Sequence, residues 1–185
     1  ILEAIQNHPN KDIRIIELGC GSGRFLQHLE LITDKNIIYT GVDLSENLLE
    51  EAKKIPQKKH IKTNFVCKDM VSYLTECNQE TVDIIVGIAS FQHLPNKKRR
   101  FLATKYMYRC LKYDGLLLMT NRSFSSRMIK KHRKILLQSI RRKITHRSKS
   151  EWNNLMIPRK SNKICHKRFY HIFTKEELKH LITQS

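Results

Sequence analysis

The sequence predicts an α/β fold with a doubly wound, mostly parallel sheet. Five short apolar runs rich in β-branched residues alternate with segments of helical periodicity, and a glycine-rich turn joins the first run to the first helix. Strands that alternate with helices form parallel sheets with right-handed crossovers. The expected strands are residues 13–18, 37–42, 61–67, 81–89 and 116–120. The expected helices are residues 2–6, 24–32, 45–55, 71–74, 97–111, 124–144 and 175–182.

The first strand runs directly into the loop Gly19-Cys20-Gly21-Ser22-Gly23, and an amphipathic helix follows. Glycines permit a sharp turn and let the backbone come close to a ligand. The N–H groups at the start of the next helix form a weakly positive site. This order is typical of a nucleotide-binding loop, although G-x-G also occurs in turns that bind nothing.

The acid Glu17 lies two residues before the first glycine. A dinucleotide-binding loop reads G-x-G-x-x-G, whereas this loop reads G-x-G-x-G, and the Glu17 carboxylate would repel a pyrophosphate. A ligand with an ammonium group would be attracted instead. S-adenosylmethionine (SAM) has an amino acid end and a sulfonium but no phosphate, so we predict a SAM site.

The second strand ends in Asp43, which is 24 residues after Gly19. In nucleotide-binding α/β folds an acid about 20 residues after the first glycine holds the ribose hydroxyls. The alternative role for Asp43 is a helix N-cap. Ser45 can supply that cap for the helix that Pro56 ends, so the ribose role is favoured.

Asp69 follows the third strand and has two open roles, contact with the adenine or capping of the short helix 71–74. The fourth strand is almost entirely apolar, which is typical of a strand buried on both faces. The predicted cofactor-binding residues are Glu17, Gly19, Cys20, Gly21, Gly23, Asp43, Leu44, Asp69, Met70 and Ile88.

His93 lies in the loop after the fourth strand, and open α/β sheets bind ligands at the carboxyl ends of their strands. It is therefore a site candidate, with helix capping or packing as the alternative.

The next helix begins with four bases, residues 97–100, which oppose the helix dipole. A polyanion at this point would explain them, and so would a solvated face. Residues 113–115 are expected to form a turn.

The positive charge is concentrated in residues 122–168, which hold 16 Lys or Arg and one acid, Glu151. The rest of the chain holds 19 bases and 16 acids. A segregated basic block indicates a polyanionic partner. The helix 124–144 has a thin apolar stripe, which favours packing on one side and RNA or solvent on the other over a membrane surface. The predicted RNA-binding residues are Lys97, Lys98, Arg99, Arg100, Arg141, Arg142 and Lys143.

Chain length, apolar runs and cysteine content limit the class of protein. The 185 residues suit a single domain, 1–185, with a basic helical insertion at about 123–165 and a loop at 148–166. No run approaches the roughly 18 apolar residues of a membrane span. Five cysteines without a C-x-x-C pair indicate reduced thiols in a cytoplasmic protein and no metal site.

These motifs together resemble the class I SAM-dependent methyltransferases. The resemblance covers residues 1–122 and rests on Glu17 with the glycine loop, Gly41-Val42-Asp43, Lys68-Asp69 and Gln92-His93, in that order. It implies a seven-stranded sheet whose last strand is antiparallel. Because only five strands are evident, the sequence is expected to be a fragment that lacks the last two.

The run Lys167-Arg-Phe-Tyr-His-Ile-Phe173, followed by Glu176-Glu-Leu178, resembles the tRNA wobble-uridine carboxymethyl methyltransferases. The loop at residues 93–100 is also similar to theirs. Members of that family methylate the carboxylate of 5-carboxymethyluridine in the anticodon loop. The resemblance implies tRNA as partner and a small zinc-binding activator subunit. Phe169 and Arg159 depart from the family pattern and leave the modified base open.

A carboxylate acceptor is already a nucleophile at neutral pH, so catalysis would depend on proximity and alignment rather than on a general base. We expect Arg168 to clamp the acceptor, with Tyr170, His171 and His93 as further positioning residues. The alternative for residues 167–173 is a strand edge with aromatic core residues and a solvated arginine. Strand alternation puts Arg168 and Tyr170 on one face and His171 on the other. The rival functions are a small-molecule methyltransferase and a non-catalytic RNA-binding protein of this fold.

Overall fold

The structure is a computed structural model that describes residues 1–56, 58–145, 151–161 and 164–184. The strands are β1 (Asp12–Leu18), β2 (Asn36–Asp43), β3 (Ile61–Cys67), β4 (Val82–Ile88), β5 (Leu111–Thr120), β6 (Asn154–Ser161) and β7 (Ile164–His171). The helices are α1 (Leu2–Gln6), α2 (Arg24–Leu29), α3 (Glu46–Lys53), α4 (Met70–Glu76), α5 (Lys97–Cys110), α6 (Ser126–Ile144) and α7 (Lys175–Thr183).

The first five strands form one parallel sheet in the order β3-β2-β1-β4-β5. Ile15 pairs with Tyr39 of β2 on one side and with Ile84 of β4 on the other. The chain therefore crosses over between β3 and β4, and the direction of strand order reverses at β1. Open sheets of this kind bind ligands at that reversal, outside the carboxyl ends of the strands. The predicted fold class is confirmed.

The chain divides into two compact units. Unit 1 comprises residues 1–91 and 102–120, and unit 2 comprises residues 92–101 and 121–185. The core of unit 1 lies between the sheet and its helices. Its buried side chains include Ile13, Ile15, Phe25, Leu26, Leu29, Tyr39, Ile84 and Val86.

Unit 2 has its own smaller core, in which α6 packs on the antiparallel pair β6–β7. Its buried residues are Met128, Leu155, Ile157, Tyr170 and Ile172, with Phe124, Ile135 and Leu136 packed against them. The N–H of Phe173, two residues after β7, donates to the carbonyl of Arg122, two residues after β5.

The strand β6 corrects the loop expected at residues 148–166, part of which lies outside the described residues. Within β6 the side chains of Leu155 and Ile157 are buried, whereas those of Met156 and Pro158 are exposed. Because the outward residues Met156 and Pro158 are also apolar, the two-residue period is hidden in the sequence. The basic segment therefore contains a hairpin as well as the expected helix.

Smaller differences concern element ends. The turn expected at residues 113–115 lies inside β5, where the pairing register shifts between Val82 and Ile84 of β4. The helix α6 is kinked at His132, whose φ and ψ are −117° and 19°. Among the described residues, no helix combines the length and apolarity that crossing a membrane requires.

Candidate functional site

The glycine loop of unit 1 has three residues in the left-handed region, with φ of +75° at Gly19, +55° at Gly21 and +75° at Gly23. A Cβ at Gly19 would lie 2.4 Å from the Cβ of Ser90, and one at Gly23 would lie 2.6 Å from Cδ1 of Ile55. A Cβ at Gly21 would meet no atom within 4 Å. Gly19 and Gly23 are therefore required by packing, whereas Gly21 borders open space that a ligand can enter.

Asp43 holds this loop in place. One carboxylate oxygen accepts the N–H of Gly21 at 2.8 Å, and the other accepts the N–H of Ser45 at 2.9 Å. Ser45 itself is the N-cap of α3, as expected, because its hydroxyl accepts the N–H of Leu48. The carboxylate at the end of β2 thus connects the glycine turn with the start of α3, and each oxygen keeps a second lone pair for a ligand.

Glu17 is buried at the end of β1, with 3% of its surface exposed, and accepts a hydrogen bond of 2.5 Å from the hydroxyl of Tyr39. Burial raises the pKa of Glu17, the Tyr39 hydrogen bond opposes this rise and the charge of Asp43 adds to it, and together they bring the pKa to about 8. Burial also raises the pKa of the neighbouring Cys20 thiol to about 12. In the free protein Glu17 is therefore mostly neutral at pH 7, and a bound cation would favour its ionised form.

The other predicted cofactor residues lie at the same edge of the sheet. Asp69 caps α4, since its side chain accepts the N–H groups of Val71 and Ser72 at 3.1 Å, so the capping role is observed. Leu44 is 71% exposed, and Ile88 ends β4. Met70 is the first residue of α4.

Ser90 and Tyr39 belong to this site but were not found from the sequence. The Ser90 hydroxyl is buried and has no hydrogen-bond partner among the described residues. Its neighbour in space is Gly19. In the sequence, Ser90 is marked only by its place in the loop after β4, and its neighbours in that loop have the same property. The buried hydroxyl and the open space at Gly21 both fit a polar ligand at the glycine loop.

A cavity of about 670 Å³ lies at the other edge of the sheet, at the amino ends of β1, β2 and β3. Its lining includes Arg14, Asn36, His60, Lys62 and Lys112. None of the predicted cofactor residues lines it. Since ligands of open parallel sheets bind at the carboxyl ends of the strands, the glycine loop remains the candidate site.

In unit 2, His93 lies in a 3₁₀ turn and is half-buried. Its Nδ1 is 2.7 Å from the carbonyl oxygen of Phe169, and its ring meets that of Tyr170 edge to face with centroids 4.7 Å apart. The guanidinium of Arg122 lies 4.5 Å from the Tyr170 ring centroid. The structure thus brings His93 and Tyr170 together and adds Arg122, which was not predicted.

A buried ionic cluster lies elsewhere in unit 2. The side chain of Arg100 is fully buried, and its Nη2 donates to both carboxylate oxygens of Glu151, at 2.7 and 2.6 Å. The same nitrogen is 3.6 Å from Glu177. His171 is also fully buried, with Nδ1 2.7 Å from Asn154 Oδ1 and Nε2 2.7 Å from Glu177 Oε1.

This cluster corrects two predictions. Arg100 cannot contact RNA phosphates because its guanidinium is inside the protein. His171 cannot position an acceptor directly, since both ring nitrogens already have partners. Burial alone would raise the pKa of Glu177, but the hydrogen bond from His171 and the charges of His171 and Arg100 outweigh it and hold the pKa below its usual range.

Glu151, His171 and Glu177 also place potential metal-ligand atoms within 4.8 Å of one another. Arg100 already supplies a positive charge to both carboxylates. The negative charge of the two carboxylates is thus compensated by a cation of the protein itself.

The other predicted RNA-binding residues have side chains that reach solvent. Arg99 is half-buried, and the rest are exposed: Lys97, Lys98, Arg141, Arg142 and Lys143. The last three lie in the final turn of α6, where the helix dipole favours positive charge. Arg168 is exposed on β7, whereas Tyr170 is buried.

The two units differ sharply in charge. Unit 1 has 13 Lys or Arg and 14 Asp or Glu, a net charge of −1. Unit 2 has 22 Lys or Arg and three Glu, a net charge of +19. Two of those three acids, Glu151 and Glu177, are engaged by Arg100. The basic side chains on the surface of unit 2 are therefore almost unopposed.

Comparison with known proteins gives a consistent picture. Residues 15–115 match the family described as "Methyltransferase domain". The malonyl-[acyl-carrier protein] O-methyltransferase of Bacillus anthracis is 33% identical over 111 residues, which are 60% of this chain and 38% of that protein. The chain therefore matches well under half the length of this curated relative.

Solved structures share the fold. A SAM-dependent methyltransferase of Methanosarcina mazei superposes with a TM-score of 0.75 and 24% identity, over 97% of this chain and 82% of that one. A complex between the Trm112 methyltransferase activator and a methyltransferase of Haloferax volcanii gives a TM-score of 0.55 and 17% identity, over 72% of this chain and 56% of that one.

Proposed function

The chain belongs to the methyltransferase-domain family, and from this premise we propose that it is a SAM-dependent methyltransferase that acts on tRNA. The proposed reaction methylates the carboxylate of a carboxymethyl-modified wobble uridine. The observation that carries the choice of tRNA is the net charge of +19 in unit 2 beside −1 in unit 1. The resemblance of residues 167–178 to the wobble-uridine enzymes supports it.

The residues at the glycine loop suit SAM, the cofactor of the family. Gly21 leaves room for close approach, Asp43 offers lone pairs to ribose hydroxyls, and Glu17 can pair with an ammonium group. When bound, SAM supplies a methyl group on a sulfonium that an acceptor oxygen can attack in line. Asp43 also keeps the loop in one conformation through its hydrogen bond to Gly21, which reduces the ordering needed on binding.

A carboxylate acceptor agrees with the groups that unit 2 offers. Such an acceptor is ionised at neutral pH and needs no general base. Exposed arginines such as Arg168 can bind it through two parallel N–H groups. His171 contributes by fixing Glu177 and Asn154 rather than by touching the substrate.

A small activator subunit is proposed as a partner. Two likenesses support it, the one to the wobble-uridine family and the fold shared with the Haloferax volcanii methyltransferase solved with Trm112. Co-purification of the tagged chain with a small zinc-binding protein of its own organism would support this partner.

A second candidate function is O-methylation of a small or carrier-bound acid. The relative from Bacillus anthracis is named for a malonyl acceptor on acyl-carrier protein, and it is 33% identical over the matched region. Both candidates transfer a methyl group to oxygen. They differ in the partner, since a small free acid gives no reason for 22 bases in unit 2. The third possibility, RNA binding without catalysis, does not explain why the glycine loop and Asp43 are arranged for a ligand.

The proposal is tested by mass spectrometry of tRNA nucleosides after incubation with the full chain and isotope-labelled SAM. We expect label in the ester of a carboxymethyluridine, and none with Asp43→Ala. A parallel reaction contains malonyl-loaded acyl-carrier protein instead of tRNA. Label in that reaction alone would replace the tRNA proposal by the second candidate.

A further inference from the structure

The backbone of Arg122 is held by two hydrogen bonds to residues that are distant in sequence. Its N–H donates to the side-chain oxygen of Gln92 at 2.6 Å, and its carbonyl accepts the N–H of Phe173 at 3.2 Å. Gln92 is itself 3% exposed. The backbone of this residue is thus fixed on both sides by groups from different segments of the unit.

The side chain of Arg122 is also oriented. Its guanidinium lies 4.5 Å from the ring centroid of Tyr170, whose position is fixed in turn by the unit 2 core and by the edge of the His93 ring. A cation over an aromatic face is stabilised, and stacking leaves the N–H groups at the guanidinium edge able to donate. Tyr170 therefore acts as a platform for this cation.

No described carboxylate forms an ion pair with the Arg122 guanidinium. Within the part of the chain that the structure describes, the Arg122 side chain makes no ion pair, and the residue as a whole is exposed. Arg100, by comparison, is buried and paired with Glu151. Arg168 is exposed, but no ring or carboxylate among the described residues holds it. Arg122 alone of these three combines an oriented guanidinium with exposure.

We propose that Arg122 binds the carboxylate of the methyl acceptor, with Tyr170 as its platform and His93 fixing the edge of that platform. This inference rests on the proposed function, since it names the group that recognises the acceptor. A planar guanidinium matches a planar carboxylate through two parallel hydrogen bonds. Because the arginine is already oriented, binding loses less side-chain entropy than it would with a free arginine.

The test compares two anticodon stem-loop RNAs that differ only in a carboxymethyl group on the wobble uridine. Dissociation constants are measured with wild type, Arg122→Ala, Arg122→Lys and a matched control, Arg133→Ala, which removes another exposed arginine of the unit. We expect Arg122→Ala to weaken the carboxymethyl RNA roughly tenfold to hundredfold and the unmodified RNA by less than about twofold. Arg122→Lys keeps the charge but loses the planar pair, so we expect an intermediate loss.

The control variant distinguishes a contact with the carboxymethyl group from a contact with RNA phosphates. Arg133→Ala should affect both RNAs alike, and SAM affinity should be unchanged in every variant. Equal weakening of both RNAs by Arg122→Ala would mean a phosphate contact and overturn the inference, as would no effect on either. Circular dichroism and thermal unfolding check that each variant keeps the fold.

If the protein does not act on tRNA, the wild-type protein should bind neither RNA. In that case, calorimetric titration with malonate in the presence of S-adenosylhomocysteine tests whether Arg122 binds a carboxylate. Loss of malonate binding in Arg122→Ala but not in Arg133→Ala supports the carboxylate site for another acceptor. Malonate binding that is equal in both variants, or absent from wild type, rejects it.

Discussion

The side chain of Glu17 is buried, and its carboxylate accepts a hydrogen bond from the hydroxyl of Tyr39. Burial penalises the charged form, so the folded protein holds a proton that the unfolded chain releases. The folded-state pKa of about 8 compares with 4.5 in the absence of these effects. Folding and protonation of this single residue are therefore linked.

The sign of the linkage gives the first prediction. Between pH 5 and 8 the unfolded chain has lost the Glu17 proton and the folded protein retains it, so the free energy of unfolding should fall as pH rises. The contribution of one such group is at most about 1.4 kcal/mol per pH unit, and it should level off above pH 8. Urea denaturation at several pH values measures it.

Glu17→Gln isolates this contribution, because an amide does not titrate. We expect the variant to lose the part of the pH slope that Glu17 supplies, while Glu46→Gln, a change at an exposed acid, keeps the wild-type slope. Identical slopes in wild type and Glu17→Gln would show that the buried carboxyl is ionised in the folded protein at neutral pH.

At the scale of the element, the three glycines of the β1–α2 turn have different roles. Gly21→Ala should cost about 1–2 kcal/mol of stability, because φ is +55° and the new Cβ meets nothing. Its methyl group would occupy the space at the loop, so SAM affinity should fall at least tenfold. Gly23→Ala adds about 1–3 kcal/mol of overpacking, since its Cβ would lie 2.6 Å from Ile55.

Denaturation and SAM calorimetry on the two variants distinguish these effects. A folded Gly21→Ala protein with wild-type SAM affinity would show that the turn does not line the cofactor site. The larger loss of stability should belong to Gly23→Ala, and the reverse order would contradict the close approach of Gly23 to Ile55.

The ionic cluster of unit 2 gives a third prediction. Arg100→Ala leaves Glu151 and Glu177 without their cation. Because both carboxylates are partly exposed, we expect a loss of about 1–3 kcal/mol rather than the full cost of leaving a buried charge unpaired. We expect faster hydrogen exchange in β7 and α7 and a lower midpoint of thermal unfolding. Lys98→Ala, at an exposed base in the same helix, serves as the control. A neutral effect of Arg100→Ala would mean that the carboxylates are stabilised by other groups.

Some of these elements could be predicted from the sequence and others could not. The parallel sheet and the glycine turn were predictable because apolar periodicity and left-handed glycines are local properties of the chain. The hairpin partner β6 was not, because Met156 and Pro158 hide its alternation and Pro158 is tolerated only where a strand lies at a sheet edge. The burial of Arg100 depends on Glu151, which is 51 residues away, so the charge alone suggested a surface residue.

At the scale of the whole molecule, the chain separates its two proposed tasks between units. The glycine loop, the proposed cofactor site, belongs to unit 1, whose charges nearly balance, whereas unit 2 holds all of the excess charge. Unit 1 therefore carries the proposed cofactor loop with little net charge, and unit 2 carries the charge that can attract a polyanion.

The last prediction concerns that excess charge. If about five bases of unit 2 meet phosphates, the logarithm of tRNA affinity should fall with the logarithm of salt concentration at a slope of roughly −4 to −5 in duplex regions. Replacing Arg141, Arg142 and Lys143 by glutamine should reduce the magnitude of the slope by up to about 3 and weaken all tRNAs alike. SAM affinity should not change, because none of the three residues belongs to the glycine loop or to the strand ends beside it. Filter binding between 50 and about 300 mM salt measures the slope, with anionic liposomes as the control polyanion. Salt-independent tRNA affinity, or liposome binding without tRNA binding, would assign the basic surface to another partner, because attraction to tRNA phosphates necessarily weakens as salt rises.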